Sequence, residues 1–213
     1  LAASERLSAS PGVIAAEPNW IYEPLEVIPN DPEFDDQWGL SNTGQIHVIA
    51  DPPPASAQGV ADADADVSDA WSITQGSPET VIAILDTGVD LSHPDLSPNL
   101  WVNTGETAGN GIDDDGNGYV DDIDGYDFLR NDPSPQDNTV GHGSHVAGIA
   151  AAAANNAIGG AGVCPACKLM ILRAGDDGGF PLDTTLEAIV YAVENDADII
   201  NMSLGGPVWS KLL

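Results

Sequence analysis

Positive charge is nearly missing from this sequence: its 213 residues carry 5 Lys and Arg against 34 Asp and Glu, a formal charge of −29. A field of that sign repels nucleic acid and anionic membrane surfaces, so neither is expected as a partner. It suits a cation-binding or salt-exposed extracellular protein. Long apolar runs are missing too; nothing approaches the roughly 18 residues of a membrane span. Cysteine is confined to Cys164 and Cys167, a lone C-x-x-C. A closed zinc centre needs about four ligands, and no second pair or His cluster supplies them. No thioredoxin-like pattern surrounds the pair either, which leaves a local disulfide or two packed thiols. The chain opens at Leu1 without an initiator Met or a signal peptide, and Ser210 near its end reads as the cap of a helix not yet begun. Both ends read as cuts, and a fragment is the expectation.

What is present supports a real core: 42% of residues are hydrophobic, and 23 Gly with 16 Pro imply many tight turns. Residues 50–66 read as an exposed loop and Val67–Ile73 as a short helix. Thr80–Leu85 is a continuous apolar run with β-branched residues, the pattern of a strand buried on both faces. After a long polar insertion, His142–Ala154 reads as a helix, Lys168–Arg173 as a strand, Thr184–Asn195 as an amphipathic helix and Asp198–Met202 as a strand. This alternation predicts an α/β fold, a parallel sheet flanked by helices and incomplete at its C-terminus. Sites in such sheets lie at the carboxyl ends of strands, where Asp86 and Asn201–Ser203 both fall, with His142 opening a helix nearby.

Two segments carry the chemistry. Val81-Ile82-Ala83-Ile84-Leu85-Asp86-Thr87-Gly88 delivers a carboxylate into a glycine turn, and His142-Gly143-Ser144-His145-Val146-Ala147-Gly148 opens a helix on a glycine-flanked imidazole. A base and the carboxylate that orients it are two of the three parts of a nucleophilic catalytic site. His145 is expected to pack inside. An acidic stretch, Asp113 to Asp127, holds seven carboxylates and no Lys or Arg. Laid on an EF-hand loop, Asp113, Asp115 and Asn117 take the first three ligand positions, Tyr119 offers its carbonyl, and Asp121 and Asp124 follow. Calcium is the favoured occupant, with an acidic turn-rich surface loop as the alternative.

Taken with Asn201-Met202-Ser203-Leu204-Gly205-Gly206, these segments resemble the subtilisin-like serine proteases, in the family's order of Asp, His and substrate-binding strand. The resemblance runs from about Asp31 to the end of the sequence. It implies the subtilisin-like three-layer fold, with His142 as general base, Asp86 as the orienting acid and Ser203, Leu204 and Gly205 as the edge that pairs with a polypeptide substrate. Asp176–Gly179 is either the opposite edge of that cleft or a plain loop. A second calcium site is implied at Asp31 and Asp95, with the Asn156 side chain and the carbonyls of Ile158 and Gly160; the alternative is a helix-terminating turn and two solvated carboxylates. Residues 1–26 resemble the tail of an inhibitory propeptide, with Val13–Tyr22 as its last strand and maturation near residues 22–30, unless they form an extension without inhibitory function. Residues 27–213 then form the N-terminal part of the catalytic domain. The family's Gly-Thr-Ser-Met-Ala nucleophile segment and oxyanion Asn have no counterpart here, and neither Ser144 nor Ser203 replaces that serine. The expectation is a secreted, monomeric, calcium-stabilised endopeptidase made as a zymogen. A peptide-binding pseudo-protease and a calcium-binding surface protein are the rivals.

Overall fold

The apolar run that ends at Asp86 is the central strand of the molecule. A computed structural model describes residues 6, 9–16, 26–48, 56–137 and 141–206. Their regular elements are strands β1 (Ile46–Val48) and β2 (Ser56–Gln58), helix α1 (Val67–Ala70), β3 (Val81–Asp86), β4 (Gly125–Asp127), α2 (His142–Ala151), β5 (Lys168–Arg173), α3 (Leu182–Glu194) and β6 (Ile199–Asn201). Two single-turn 3-10 helices accompany them, Phe34–Asp36 before β1 and Ser97–Asn99 between β3 and β4. β1 and β2 form an antiparallel pair, and the other strands form one parallel sheet in the order β4-β5-β3-β6.

Every residue of β3 is buried, because helices cover both faces of the sheet. Strand alternation sorts the side chains. Val81, Ala83 and Leu85 join Met170, Leu172, Tyr126 and Phe128 against α3, packing on its Ala188, Tyr191 and Ala192. Ile82 and Ile84 join Leu169 and Ile171 against α2, whose Ala147 and Ala151 face them. By the same period of two, Asp86 points to the α2 side. The side chains of α2 that face the sheet are small, which lets its axis come close. A third cluster, Phe34, Leu40, Val67, Trp71 and Ala161, seats the N-terminal segment, and the Trp71 indole donates to the Val163 carbonyl at 3.0 Å.

The expected α/β architecture is present, and both long strands lie where the pattern placed them. β1, β2 and β4 are corrections: each has three residues, too few for periodicity to register. The stretch expected as a loop over 50–66 contains β2, and the helix expected over Val67–Ile73 stops at Ala70. Residues 13–16 contain no strand, and the remainder of Val13–Tyr22, like Ser210, lies outside the described residues. Cys164 and Cys167 are joined as a disulfide beside Gln75-Gly76. No helix among the described residues is long and apolar enough to cross a membrane.

Ile84 is fully buried at the centre of the sheet, whereas Ile73 is 87% exposed. Truncating Ile84 to Ala is expected to cost about 2–5 kcal/mol and truncating Ile73 to Ala next to nothing. Urea denaturation of the complete protein compares the two.

Candidate active site

β3 ends at Asp86, whose side chain is fully buried, and α2 begins at His142, whose side chain is about half exposed (48%). The imidazole Nδ1 lies 2.7 Å from Asp86 Oδ1, across 56 positions of sequence. A carboxylate can only accept, so Nδ1 is the donor, and in the neutral ring the lone pair is then on Nε2. The same Asp86 oxygen accepts from the Thr87 amide at 2.8 Å, while its Oδ2 is buried without a hydrogen-bond partner among the described residues. A half-exposed imidazole held by a buried carboxylate has the geometry of a general base.

Two glycines make this approach possible. A Cβ at Gly143, in the first turn of α2, would run into the Gly88 carbonyl and stand 3.2 Å from the Asp86 Cβ. Gly88 itself has φ +91° and leaves no room for a side chain between the Pro135 carbonyl and Arg173. The Ser144 Oγ accepts the Asp90 amide at 2.8 Å, tying α2 to the segment after β3. His145 is exposed rather than packed inside, a correction with a simple cause. The inward face of α2 is Gly143, Ala147 and Ala151, and position 145 lies away from it, beside a surface pocket shared with His93 and Ile149.

Ser203, Leu204 and Gly205 follow β6 at the carboxyl end of the sheet. Ser203 and Gly205 are exposed, Leu204 packs on the α3 core, and the Asn201 amide donates to Ser203 Oγ at 3.0 Å. Asp176–Gly179 closes a tight turn after β5, with the Gly178 amide donating to Asp176 at 2.8 Å.

The acidic stretch does not form an EF-hand, since residues 101–124 contain no helix. Glu106, from outside the expected loop, joins Asp113 and Asp115 in a cluster whose carboxylate oxygens lie within 4.8 Å of one another. Asp121 instead accepts the amides of Asn110 and Gly111, both at 3.0 Å, Asn117 Oδ1 accepts the Tyr119 amide, and Asp124 is half-buried just before β4. Tyr119 packs its ring edge-to-face against Tyr126, Phe128 and Tyr191. Asp122, not singled out from the sequence, is fully buried and accepts from Tyr191 Oη, Asn117 and Asn103. Burial pushes its carboxyl above the ordinary range, with the hydrogen bonds from Tyr191 and Asn117 opposing. It anchors the acidic loop to α3.

The second cluster brings Asp31, Asp95 and Asn156 together. Asp31 accepts the amides of Asn155, Asn156 and Ala157 at 2.7–3.1 Å, and Asn156 Nδ2 donates to Asp95 at 2.7 Å. Ile158 and Gly160 belong to the same loop, where Ile158 donates its amide to Asn156 and Gly160 packs on Gln37. Both carboxylates are only 4% exposed. Burial raises the Asp95 carboxyl above its ordinary range, and the charge of Asp31 adds to the rise.

The family profile described as Peptidase_S8, Subtilase family, matches residues 77–212. The thermophilic serine proteinase of Bacillus sp. (strain AK1) is 35% identical over 201 residues, covering 93% of this chain and 39% of the relative. The halolysin-like extracellular serine protease Nep of Natrialba magadii is also 35% identical, covering 89% of this chain and 28% of the relative. Among solved structures, the Aeromonas sobria serine protease in complex with its chaperone matches with a TM-score of 0.62 at 25% identity, over 85% of this chain and 26% of that one. The chain thus spans well under half the length of each of these three proteins.

One buried ion pair braces the site from behind. Arg173, the register neighbour of Asp86 on β5, donates from Nη1 to Asp127 on β4 at 2.7 Å, with both side chains almost wholly buried. Arg173→Met strands the Asp127 charge and is expected to cost about 3–5 kcal/mol, whereas Arg173→Met combined with Asp127→Leu recovers most of that loss. Urea denaturation of the complete protein measures both.

Proposed function

The chain belongs to the subtilase family, and on that premise we propose that it forms the N-terminal part of the catalytic domain of a secreted, calcium-stabilised serine endopeptidase. The observation that carries the proposal is the 2.7 Å contact between a fully buried Asp86 and the half-exposed His142. In this reading His142 Nε2 takes the proton of a serine hydroxyl as its oxygen attacks the scissile carbonyl carbon. The imidazolium then returns the proton to the amide nitrogen as the C–N bond breaks, leaving an acyl-enzyme that water hydrolyses. Asp86 fixes the ring's tautomer and offsets its transient positive charge. In this reading the serine and the oxyanion donor belong to the remainder of the domain, which is supported by the chain's covering only 39% of the Bacillus relative. Ser203–Gly205 presents the exposed edge to which an extended polypeptide adds as a strand. Residues 1–26 are assigned to the propeptide, the protein's own inhibitory partner. The extracellular character of the Natrialba magadii relative supports secretion.

Calcium is assigned a structural role. The donors available are the hard oxygens that calcium favours: Glu106, Asp113 and Asp115 in one cluster, Asp31, Asp95 and Asn156 in the other. No Lys or Arg pairs with these carboxylates among the described residues. A bound cation would relieve the mutual repulsion in both places.

In the complete protease, Asp86→Asn is expected to lower kcat by about 10⁴ and His142→Ala by about 10⁶, magnitudes known from subtilisin itself. Peptide turnover measures this, and near-native activity in His142→Ala would sink the proposal. Chelation with EGTA is expected to lower Tm by several degrees or more, read by calorimetry, and Asp113→Asn with Asp115→Asn to remove part of that calcium response.

A further inference from the structure

Two hydrogen bonds at the start of α2 converge on a carboxylate outside the Asp86–His142 pair, and a third feeds one of them. Asp137 is buried, and its Oδ2 accepts from Thr87 Oγ1 at 3.0 Å and from the Gly141 amide at 2.8 Å. Thr87 Oγ1 in turn accepts the Gly143 amide at 3.1 Å. The backbone amides of the two residues that flank His142 are therefore both tied to one oxygen, directly at Gly141 and through the hydroxyl at Gly143. The backbone of Asp137 is fixed as well. Its amide donates to the Val89 carbonyl at 3.0 Å, and the Val89 amide donates to the Pro135 carbonyl at 3.0 Å, so 135–137 runs beside the chain leaving Asp86-Thr87-Gly88.

The polarity of this chain of bonds decides what Asp137 does. A hydroxyl has one hydrogen; given to Asp137, it leaves the Thr87 oxygen as a pure acceptor for the Gly143 amide. Without the carboxylate the hydroxyl can rotate, and neither flanking amide has a fixed partner. Gly141 sits at φ +77° and Gly143 has no side chain to wedge it; the His145 amide donates to the Gly141 carbonyl at 3.0 Å, but that bond lies within α2 and moves with the helix. An α2 N-terminus that shifts by a fraction of an ångström carries the imidazole with it.

We propose that Asp137, acting through Thr87, is a positioning residue that fixes the backbone on both sides of His142 and so holds the imidazole in register with Asp86 for proton transfer. The inference rests on the reading of His142 as the general base. It assigns Asp137 no contact with substrate or with the reacting atoms. Because the effect is on orientation, it falls on kcat rather than on substrate binding; misplacement on the ångström scale costs on the order of 10² in rate.

The test uses the complete protease with a chromogenic peptide substrate. Asp137→Ala and Thr87→Val are each expected to lower kcat about 10–100-fold with KM changed less than about threefold. Thr87→Ser restores the hydroxyl and is expected to recover most of the rate. The double variant, Thr87→Val with Asp137→Ala, is expected to be no slower than the worse single variant, because both cut the same chain of bonds. The ¹H resonance of the His142 Nδ1 hydrogen is expected to shift or broaden in both single variants. If Asp137→Ala does not fold, Thr87→Val against Thr87→Ser decides the matter. Unchanged kcat in Thr87→Val, or rate losses that multiply in the double variant, overturns the proposal. Activity retained in His142→Ala overturns instead the reading on which it rests, so the two failures are told apart.

Discussion

The first turn of α2 can meet the end of β3 only because position 143 has no side chain. Any Cβ there would collide with the Gly88 carbonyl, and the helix would have to retreat from the strand that delivers Asp86. With glycine in place, the helix N-terminus lies directly against the strand exit, and a 2.7 Å bond closes between residues far apart in sequence. The packing beneath is arranged to permit this. Ala147 and Ala151 continue the slim face of α2 along the sheet, meeting Ile82, Ile84, Leu169 and Ile171. Close approach of backbones thus comes first, and the chemistry of the pair follows from it.

The large negative charge is handled in two unlike ways. Two carboxylates are drawn inside and satisfied one by one: Asp127 by Arg173, and Asp122 by Tyr191 and two Asn amides. These act as fasteners, joining loops to the sheet and its helices. Others remain clustered on exposed or half-exposed loops without protein cations nearby, where hard-oxygen donors gather. Burial of the first group is costly enough that Asp122 is pushed toward its protonated form even with three donors around it. The aromatic cluster of Tyr119, Tyr126, Phe128 and Tyr191 supplies the apolar surroundings that impose this cost and seats the acidic loop on α3.

Much of this was legible in the residues alone. The two long strands announce themselves because a doubly covered strand is apolar at every position, and α3 because one stripe of it is. Asp86 stands out because an apolar strand delivers it into a glycine turn, and His142 because glycines flank it. β4 was hidden for the opposite reason: it has three residues, and one is an Asp whose charge is paired by Arg173, 46 positions on. Glu106 was missed because it precedes the acidic run it completes, and the EF-hand spacing took its ligands from within that run alone. Asp137 and Thr87 gave no signal as a pair, since a hydrogen bond between residues 50 apart leaves no periodic trace.

The alternation of β3 also governs how this protein can vary over evolutionary time. Side chains from Val81 onward take opposite faces in strict turn, so gaining or losing a single residue inside the strand would transfer Asp86 to the α3 face, among Leu85 and Met170. Insertions and deletions are therefore barred from six consecutive positions. The irregular segment between β3 and β4 is under no such parity rule, because loop closure depends only weakly on length. Lineages of this protein should differ in the size of that segment while keeping the count within the strand unchanged.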